Sequence, residues 1–353
     1  MITISLCMIV RNEEDVLARC LESIRQAVDE IVIVDTGSTD QTVEIAKNYT
    51  NRIYNFDWID DFAAARNFSF SKATCDYIMW MDADDIILPD DLSALLQLKE
   101  NLDFSVDLVM MPYHSDFDSE GRPLFLYERE RLFKREMHYR WQGEIHEAIS
   151  PYGKILHSPV AITHRKERAA DPDRNLRIFE KLLAKGKELD PRQQYYYARE
   201  LAAHGRDREA VQWFSRFLDE RMGWVENRIG ACLDLAGCLE RLGESEQAME
   251  TLARSFAYDL PRPEICCGLG RIWMQKLDYH QAIYWYERAL HCAPPNKNSF
   301  CQPDYWDFIP YLQLCVCYEH LNRRSDALFY HEKAKRLKPR HPSVQYNETY
   351  FYG

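Results

Sequence analysis

Long apolar runs, low-complexity stretches and cysteine pairs with metal-ligand spacing are all missing from this sequence of 353 residues. No run approaches the roughly 18–20 apolar residues of a spanning helix, so we expect no membrane span. The apolar N-terminus lacks a basic lead-in and soon runs into charges, which argues against a signal peptide. The eleven cysteines are scattered and include no CxxC pair, which is typical of a reduced, cytoplasmic protein.

An excess of basic residues is also missing. The 56 acidic residues outnumber the 44 lysines and arginines, which gives a net charge of −12. Nucleic acid is not an expected partner, because phosphate neutralisation supplies most of that affinity. The composition is otherwise globular, with 46% hydrophobic and 28% charged residues, and the length suggests two domains.

The first third of the chain alternates short apolar runs with amphipathic stretches. Strands are predicted at residues 2–10, 30–35, 52–56, 77–81 and 108–112, and helices at 13–27, 41–49, 62–73 and 90–100. This alternation predicts an α/β domain with a mostly parallel, Rossmann-like sheet covered by helices on both faces. The shorter aromatic and charged segments at 113–165 predict extra strands and loops along one side. We place this domain at residues 1–170.

A repeat of small residues replaces the strand signal in the second half. Alanines that follow Glu, Gln or Asp recur at spacings of 38, 34 and 45 residues, at Ala210, Ala248, Ala282 and Ala327. Small residues lie twelve positions earlier, at Ala198, Ala236, Gly270 and Cys315. A period near 34 with this pattern is typical of tetratricopeptide repeats, so we expect an all-α solenoid of four units at residues 171–353. An irregular helical bundle is the alternative.

Four motif blocks lie in the predicted α/β domain. They are CMIVRNEE at 7–14, IVIVDTGSTD at 31–40, FAAARN at 62–67 and WMDADD at 80–85. In order and spacing they resemble the family 2 glycosyltransferases, which have the GT-A nucleotide-sugar fold. With its repeats, the chain is similar to bacterial family 2 enzymes fused to C-terminal tetratricopeptide units, some of which glycosylate peptides.

The resemblance implies an inverting, metal-dependent glycosyltransferase that moves a sugar from a nucleotide-sugar, a UDP-sugar, to Ser, Thr or Cys of a peptide or protein. Stacked repeats present a concave face suited to extended peptides, which is where we expect the acceptor. Their exposed apolar surface is compatible with a homodimer. The alternatives are transfer to a cell-envelope glycan or lipid-linked acceptor, and a repeat scaffold that carries an inactive sugar-nucleotide domain.

Carboxylates follow two of the predicted strands. Asp35 ends a strand at the carboxyl edge of the sheet, where α/β folds place ligands, and its carboxylate can accept hydrogen bonds from a nucleobase or ribose. Asp82 and Asp84 follow another strand, and two such oxygen ligands suit Mg²⁺ or Mn²⁺. A turn is the structural alternative for each. Asp85 departs from the Glu frequent in relatives, which weakens a specific role for it.

Further roles are implied by the resemblance alone. Asp35 would bind uracil, Asp84 would ligate the metal directly, and Asp82 would contact ribose or the metal. His164, at the end of VAITH, would be a third metal ligand, with an ordinary buried or surface histidine as the alternative. Donor contacts are implied for Val10, Asn12, Glu14, Arg66 and Ala83. For Arg66 the alternative is a surface salt bridge.

The segment WQGEIHE at 141–147 resembles a block of the same family. An inverting transferase needs one base to take the acceptor proton. Glu147, His146 and Glu144 all qualify chemically. The resemblance favours Glu147, because the His-Glu pair is the part that matches the family. Glu144 is the rival, because WQGE is similar to the tryptophan-glycine-acid loop of other GT-A enzymes. A structural hairpin with exposed acids is the alternative.

Overall fold

The computed structural model describes residues 1–118, 120–167, 171–293 and 300–353. They form two compact units, of which the first is Met1–Gly186 together with Phe300, and the second comprises the other described residues from Lys187 onward. Residue 170, where we place the end of the first domain, lies outside the described residues, so that boundary stays a prediction. Within the described ranges, no helix combines the length and the apolar character needed to cross a bilayer.

Nine strands in the described part of the first unit form a single sheet. They are β1 (Ile4–Val10), β2 (Glu30–Asp35), β3 (Ile53–Asn55), β4 (Tyr77–Trp80), β5 (Asp85–Ile86), β6 (Leu108–Phe117), β7 (Pro123–Lys134), β8 (Ile155–His157) and β9 (Ile162–His164). The order across the sheet is β3-β2-β1-β4-β7-β6-β9-β5, with β8 beside β6.

The sheet is mixed. Strands β3, β2, β1 and β4 are parallel neighbours, as the alternation of strands and helices predicts. Strand β7 then inserts antiparallel between β4 and β6, and β5 pairs antiparallel with β9. The strand predicted at 108–112 therefore does not extend the parallel set; it continues to Phe117 and forms a long hairpin with β7.

The described residues of the first unit include five α-helices. They are α1 (Leu17–Ile24), α2 (Thr42–Ala46), α3 (Phe62–Phe70), α4 (Pro89–Asn101) and α5 (Arg174–Ala184). Leu17 and Leu21 of α1 and Leu95 of α4 lie in the core on one face of the sheet. Phe70 of α3 lies in the core on the other face, with Trp80 of β4. Helices therefore cover both faces, as predicted.

The second unit consists of helices in its described part. They are α6 (Pro191–Ala203), α7 (Asp207–Asp219), α8 (Val225–Arg241), α9 (Ser245–Arg254), α10 (Pro263–Gln275), α11 (Tyr279–Leu290), α12 (Phe308–His320), α13 (Arg324–Leu337) and α14 (Pro342–Tyr352). The first eight pack as four consecutive pairs, which confirms the predicted repeats. The four repeat alanines, Ala210, Ala248, Ala282 and Ala327, are fully buried.

Gly270 shows why the repeat requires small residues. A methyl group at this position of α10 would lie 2.9 Å from ring atoms of Tyr286 in α11, a residue that is only 2% exposed. We expect Gly270→Ala to lower the free energy of unfolding by about 1–3 kcal/mol, as overpacked cores do. At Gly237 in α8 an added methyl carbon would meet only Arg241, at 3.6 Å. Gly237→Ala should therefore raise the free energy of unfolding by up to about 1 kcal/mol, because Ala has the higher helix propensity. Urea unfolding of both variants measures the two signs, and equal stabilisation would contradict the tight contact.

Candidate active site

The carboxyl ends of the parallel strands place most of the predicted residues along one edge of the sheet. Val10 and Asp35 are register partners at the ends of β1 and β2. Asp82 follows β4, which pairs with β1 on its other side. Residues that are far apart in the sequence thus reach the same edge, where α/β proteins bind ligands.

Asp35 is nearly buried and closes a tight turn. Its carboxylate accepts the backbone N–H groups of Gly37 at 3.1 Å and Ser38 at 3.1 Å. Asp35 therefore does have the structural role in a turn that the sequence analysis gives as the alternative to ligand binding. Contact with a nucleobase, which would use the remaining acceptor capacity of the carboxylate, stays a prediction.

Asn12 and Glu14 tie the loop after β1 to the loop after β2. Asn12 adopts a positive φ of 56°, donates its backbone N–H to Ser38 Oγ at 3.0 Å, and accepts from the N–H of Thr39 at 2.8 Å. Glu14 accepts from the N–H of Gln41 at 3.0 Å. These contacts shape the edge of the sheet, and the donor contacts of both residues stay predictions.

Val10 and Ala83, also predicted to contact the donor, are buried. The carbonyl of Val10 accepts both the N–H and the hydroxyl of Thr36, at 3.0 and 3.1 Å. Ala83 is 4% exposed and belongs to the core that also contains α1. Direct donor contacts of these two residues also stay predictions.

Arg66 joins two of the predicted carboxylates. Its Nη2 donates to Asp82 Oδ1 at 2.7 Å and its Nε donates to Glu147 Oε1 at 2.6 Å. The guanidinium carbon lies 4.7 Å from the ring centroid of Trp80 and 5.0 Å from that of Trp141. Its side chain is only 8% exposed, so this is not the surface salt bridge of the alternative reading.

Contact with the neighbouring charges shifts the pKa values of Arg66 and Asp82. Burial lowers the pKa of Arg66, but the charges of Asp82 and Glu147 outweigh burial and raise it above its ordinary value. Burial likewise raises the pKa of Asp82, but Arg66 outweighs burial and holds that pKa below its ordinary value. Arg66 therefore keeps its positive charge at neutral pH and keeps a negative charge on Asp82.

Asn67, the neighbour of Arg66 on α3, holds the loop that carries Glu147. Its amide nitrogen donates to the Trp141 carbonyl and its amide oxygen accepts from the Trp141 N–H, both at 2.9 Å. A bridge between Gln142 and Ala148 closes the loop. Adjacent residues of one helix turn thus fix both the loop and its acid. Neither the contact nor its purpose could be inferred from the FAAARN block.

His146 and Glu144 occupy other positions of the same loop. His146 has a positive φ of 50° and its ring stacks on Phe179 of α5 at 6.3 Å between centroids. The carbonyl of Glu144 accepts from the N–H of Phe62, at the start of α3, at 2.8 Å. The loop is therefore anchored at several points. The catalytic roles of Glu147, His146 and Glu144 stay predictions.

Asp84, Asp85 and His164 form a second cluster. Each offers a ligand atom, and these atoms lie within 4.8 Å of one another. The cluster depends on the β5–β9 pairing, in which Asp85 faces His164 and the N–H of Arg165 donates to the Asp84 carbonyl at 2.8 Å. The cluster connects to Arg66 through Asp82, whose N–H donates to Asp85 Oδ2 at 3.1 Å.

In the second cluster, the pKa values of Asp84 and His164 are both shifted. Burial raises the pKa of Asp84, and the carboxylates of Asp82 and Asp85 add to the rise against the opposing effect of His164. Burial lowers the pKa of His164, but the hydrogen bond to Asp85 and the nearby carboxylates outweigh burial and raise it. The Asp84 carboxylate and the His164 imidazole are ligands that Mn²⁺ accepts, so the cluster fits the implied divalent metal.

Asp85 is the residue whose place the sequence analysis missed. It is fully buried and accepts from Tyr113 Oη at 2.8 Å, while Arg131 Nη1 lies 3.2 Å from its Oδ2. The alternation of Glu and Arg in the ERER segment at 128–131 does not show which of these charged side chains is buried, because the pairing of β6 and β7 is irregular at this point. The partner of Arg131 could not be identified, because β7 reaches Asp85 only by inserting into the sheet.

Comparisons with known proteins agree with the motif blocks. Residues 5–160 match the family model described as Glycosyl transferase family 2. Over 150 residues, 42% of this chain and 36% of the relative, the chain is 38% identical to a TPR repeat-containing protein of Synechococcus elongatus. Over 241 residues, 64% of this chain and 56% of the relative, it is 26% identical to the SPbeta prophage-derived glycosyltransferase SunS of Bacillus subtilis.

Among solved structures, the MamA protein shares 17% sequence identity at a TM-score of 0.38, over 52% of this chain and 87% of MamA. The matches to the two curated relatives span 36% and 56% of those proteins' length.

Proposed function

Residues 5–160 form a family 2 glycosyltransferase domain, and on that premise we propose that the chain is an inverting, metal-dependent glycosyltransferase that uses a UDP-sugar and a peptide or protein acceptor. One observation carries the proposal. Two clusters, Arg66–Asp82–Glu147 and Asp84–Asp85–His164, meet at the end of β4 through the Asp82–Asp85 hydrogen bond. A purely structural turn would not need six ionisable groups from four parts of the chain.

The roles follow from the chemistry of the groups. Asp84 and His164 would hold a divalent metal, which when bound stabilises the charge that develops on a departing nucleoside diphosphate. Asp35 would accept from the base, and Arg66 would keep Asp82 charged and oriented toward the donor. Glu147 would take the proton of the acceptor. All eleven cysteines are free, which supports the proposed cytoplasmic location.

The helical repeats support a peptide or protein as acceptor. Stacked repeats of this kind form extended concave surfaces that bind other chains. The similarity to the glycosyltransferase SunS spans 64% of this chain, more than the 5–160 segment alone. We therefore assign acceptor binding to the repeats and donor binding to the first unit.

Thermal unfolding in the presence of candidate donors tests the donor class. We expect one of UDP-glucose, UDP-GlcNAc, UDP-galactose or GDP-mannose, with Mn²⁺, to raise the melting temperature by several degrees, since ligand at 100 times its Kd adds about 2.7 kcal/mol to the folded state. The shift should disappear with EDTA. A chain ending at Gly186, which keeps α5 with the first unit, should retain the shift but lose transfer to peptides.

The outcomes separate the competing functions. Stabilisation by no donor would favour the repeat scaffold with an inactive domain. Stabilisation by a UDP-sugar together with transfer only to glycan or lipid-linked acceptors would keep the enzyme and overturn the peptide acceptor. Full peptide transfer by the shortened chain would remove acceptor binding from the repeats.

A further inference from the structure

A buried network surrounds Asp85, one of the groups of the second cluster. Oxygen Oδ1 faces two groups, the Tyr113 hydroxyl at 2.8 Å and His164 Nδ1 at 3.2 Å. Oxygen Oδ2 faces two more, the Asp82 N–H at 3.1 Å and Arg131 Nη1 at 3.2 Å. All four contacts of this side chain are thus to groups able to donate, and both oxygens act as acceptors.

Burying Arg131 at this position costs free energy. Its side chain has no exposed surface, and its Nε and Nη2 find no hydrogen-bond acceptor in the described part of the chain. Its guanidinium lies against the rings of Trp80 and Tyr113, at 3.8 and 4.7 Å from their centroids. Its Nη1 donates to the Trp80 carbonyl at 3.1 Å and lies 3.2 Å from Asp85 Oδ2. Buried donors without partners cost free energy, and the ion pair with Asp85 offsets part of that cost.

The surroundings of His164 decide which of its ring nitrogens carries the proton. Nδ1 lies 3.2 Å from Asp85 Oδ1 and 3.4 Å from Asp84 Oδ1. Ionised carboxylates only accept hydrogen bonds, so a neutral ring in this place must donate from Nδ1. The lone pair is then on Nε2, which is the state that a metal ligand needs, because ligating histidines commonly donate their other N–H to a carboxylate.

We propose that Asp85 is the positioning residue of the site: held by Arg131 and Tyr113, it fixes His164 as the Nδ1–H tautomer and thereby prepares Nε2 for the divalent metal. The role in metal binding rests on the proposed function, whereas the tautomer does not. Asp85 acts through His164, and it ligates the metal in no part of this proposal.

Asp85→Asn gives a sharp test, because the new NH₂ group must replace one of the two oxygens. It cannot replace Oδ2, since the Asp82 N–H and Arg131 can only donate. It can replace Oδ1, because the Tyr113 hydroxyl can rotate and His164 Nδ1 can become an acceptor. An NH₂ group that donates to Nδ1 requires a lone pair there, and Asp84 Oδ1, at 3.4 Å, is the more distant acceptor for an Nδ1–H. The substitution should therefore move the His164 proton from Nδ1 to Nε2.

The ¹⁵N resonances of the imidazole measure this tautomer in the full-length, metal-free protein, at an alkaline pH where the ring is neutral. His164→Gln assigns the signal by its loss. We expect Nδ1–H in the wild type, Nε2–H in Asp85→Asn, and a fall of about 10–100-fold in Mn²⁺ affinity measured by EPR of the free ion. Glu128→Gln is the matched control, because Glu128 pairs with His157 Nδ1 at 2.5 Å on β7 and β8. It should change only the His157 signal.

Each result decides the question. A wild-type ring protonated at Nε2 overturns the inference even if Asp85→Asn fails to fold, and so does an unchanged tautomer in a folded Asp85→Asn. Mn²⁺ and donor binding by a wild type with the wrong tautomer would leave the proposed function intact. The expected tautomer in a protein that binds neither Mn²⁺ nor any donor would overturn the function and the role of Asp85 in metal binding, and would keep only the effect of Asp85 on the tautomer.

Discussion

Replacing Asp84 by Ala should abolish metal-dependent turnover of the donor while leaving the fold intact. Asp84 lies after the end of β4, its side chain is about a quarter exposed, and it contributes a carboxylate to the cluster with His164. The charge stabilisation that a divalent metal supplies amounts to several kcal/mol, so we expect transfer and donor hydrolysis to fall by at least about 10³-fold. Release of UDP with and without Mn²⁺ measures the effect.

Asp90→Ala provides a matched control for this substitution. Asp90 is an exposed acid in the first turn of α4, six residues further along the chain, and its removal should cost only a few tenths of a kcal/mol of stability. Circular dichroism should be unchanged in both variants. A folded Asp84→Ala protein that still turns over donor at the wild-type rate with Mn²⁺ present would show that the metal assignment is wrong.

The parts of the fold that follow from local patterns could be predicted. Strand β2 runs from Glu30 to Asp35, as the apolar EIVIVD segment predicts, because a strand covered on both faces must be apolar throughout. The repeat alanines predict the helix pairs because two helices can approach only where their facing side chains are small. The strand predicted at 108–112 was placed correctly at its start, but no local signal shows that β7 separates it from β4.

In the candidate site too, local patterns predict the positions of some residues but not the contacts between distant ones. The positions of Asp35, Asp82 and Asp84 at strand ends could be inferred, because parallel strands end at a common edge. The contact of Arg66 with Glu147 joins residues 81 positions apart, and that of His164 with Asp85 joins residues 79 positions apart. Such contacts depend on sheet insertion and on where loops return, which local spacing does not encode. For the same reason the sequence around Asp85 does not predict its contacts with Tyr113, Arg131 and His164.

Replacing Glu147 by Gln should lower transfer by about 10²–10⁴-fold, the usual contribution of a positioned base, with donor affinity nearly unchanged. The amide keeps the shape of the side chain, and its oxygen can still accept the Arg66 Nε–H that now reaches Glu147 Oε1 at 2.6 Å. The loop should therefore stay in place, held by Asn67 on the Trp141 backbone. What the variant loses is the second oxygen as a proton acceptor.

The acceptor itself can separate basicity from positioning. A peptide hydroxyl must lose its proton to the base during attack, whereas a cysteine thiol, with a pKa of about 8.5, is partly ionised near neutral pH and needs the base less. Glu147→Gln should therefore impair a Ser peptide far more than its Cys counterpart, and the two should differ less in the wild type. If Glu147 only oriented Arg66, the substitution would lower the turnover of both peptides by the same factor. Glu144 would be the base if Glu147→Gln turned over the Ser peptide at the wild-type rate and Glu144→Gln lost most of that turnover. The backbone of Glu144 is already fixed, because its carbonyl accepts the Phe62 N–H at 2.8 Å.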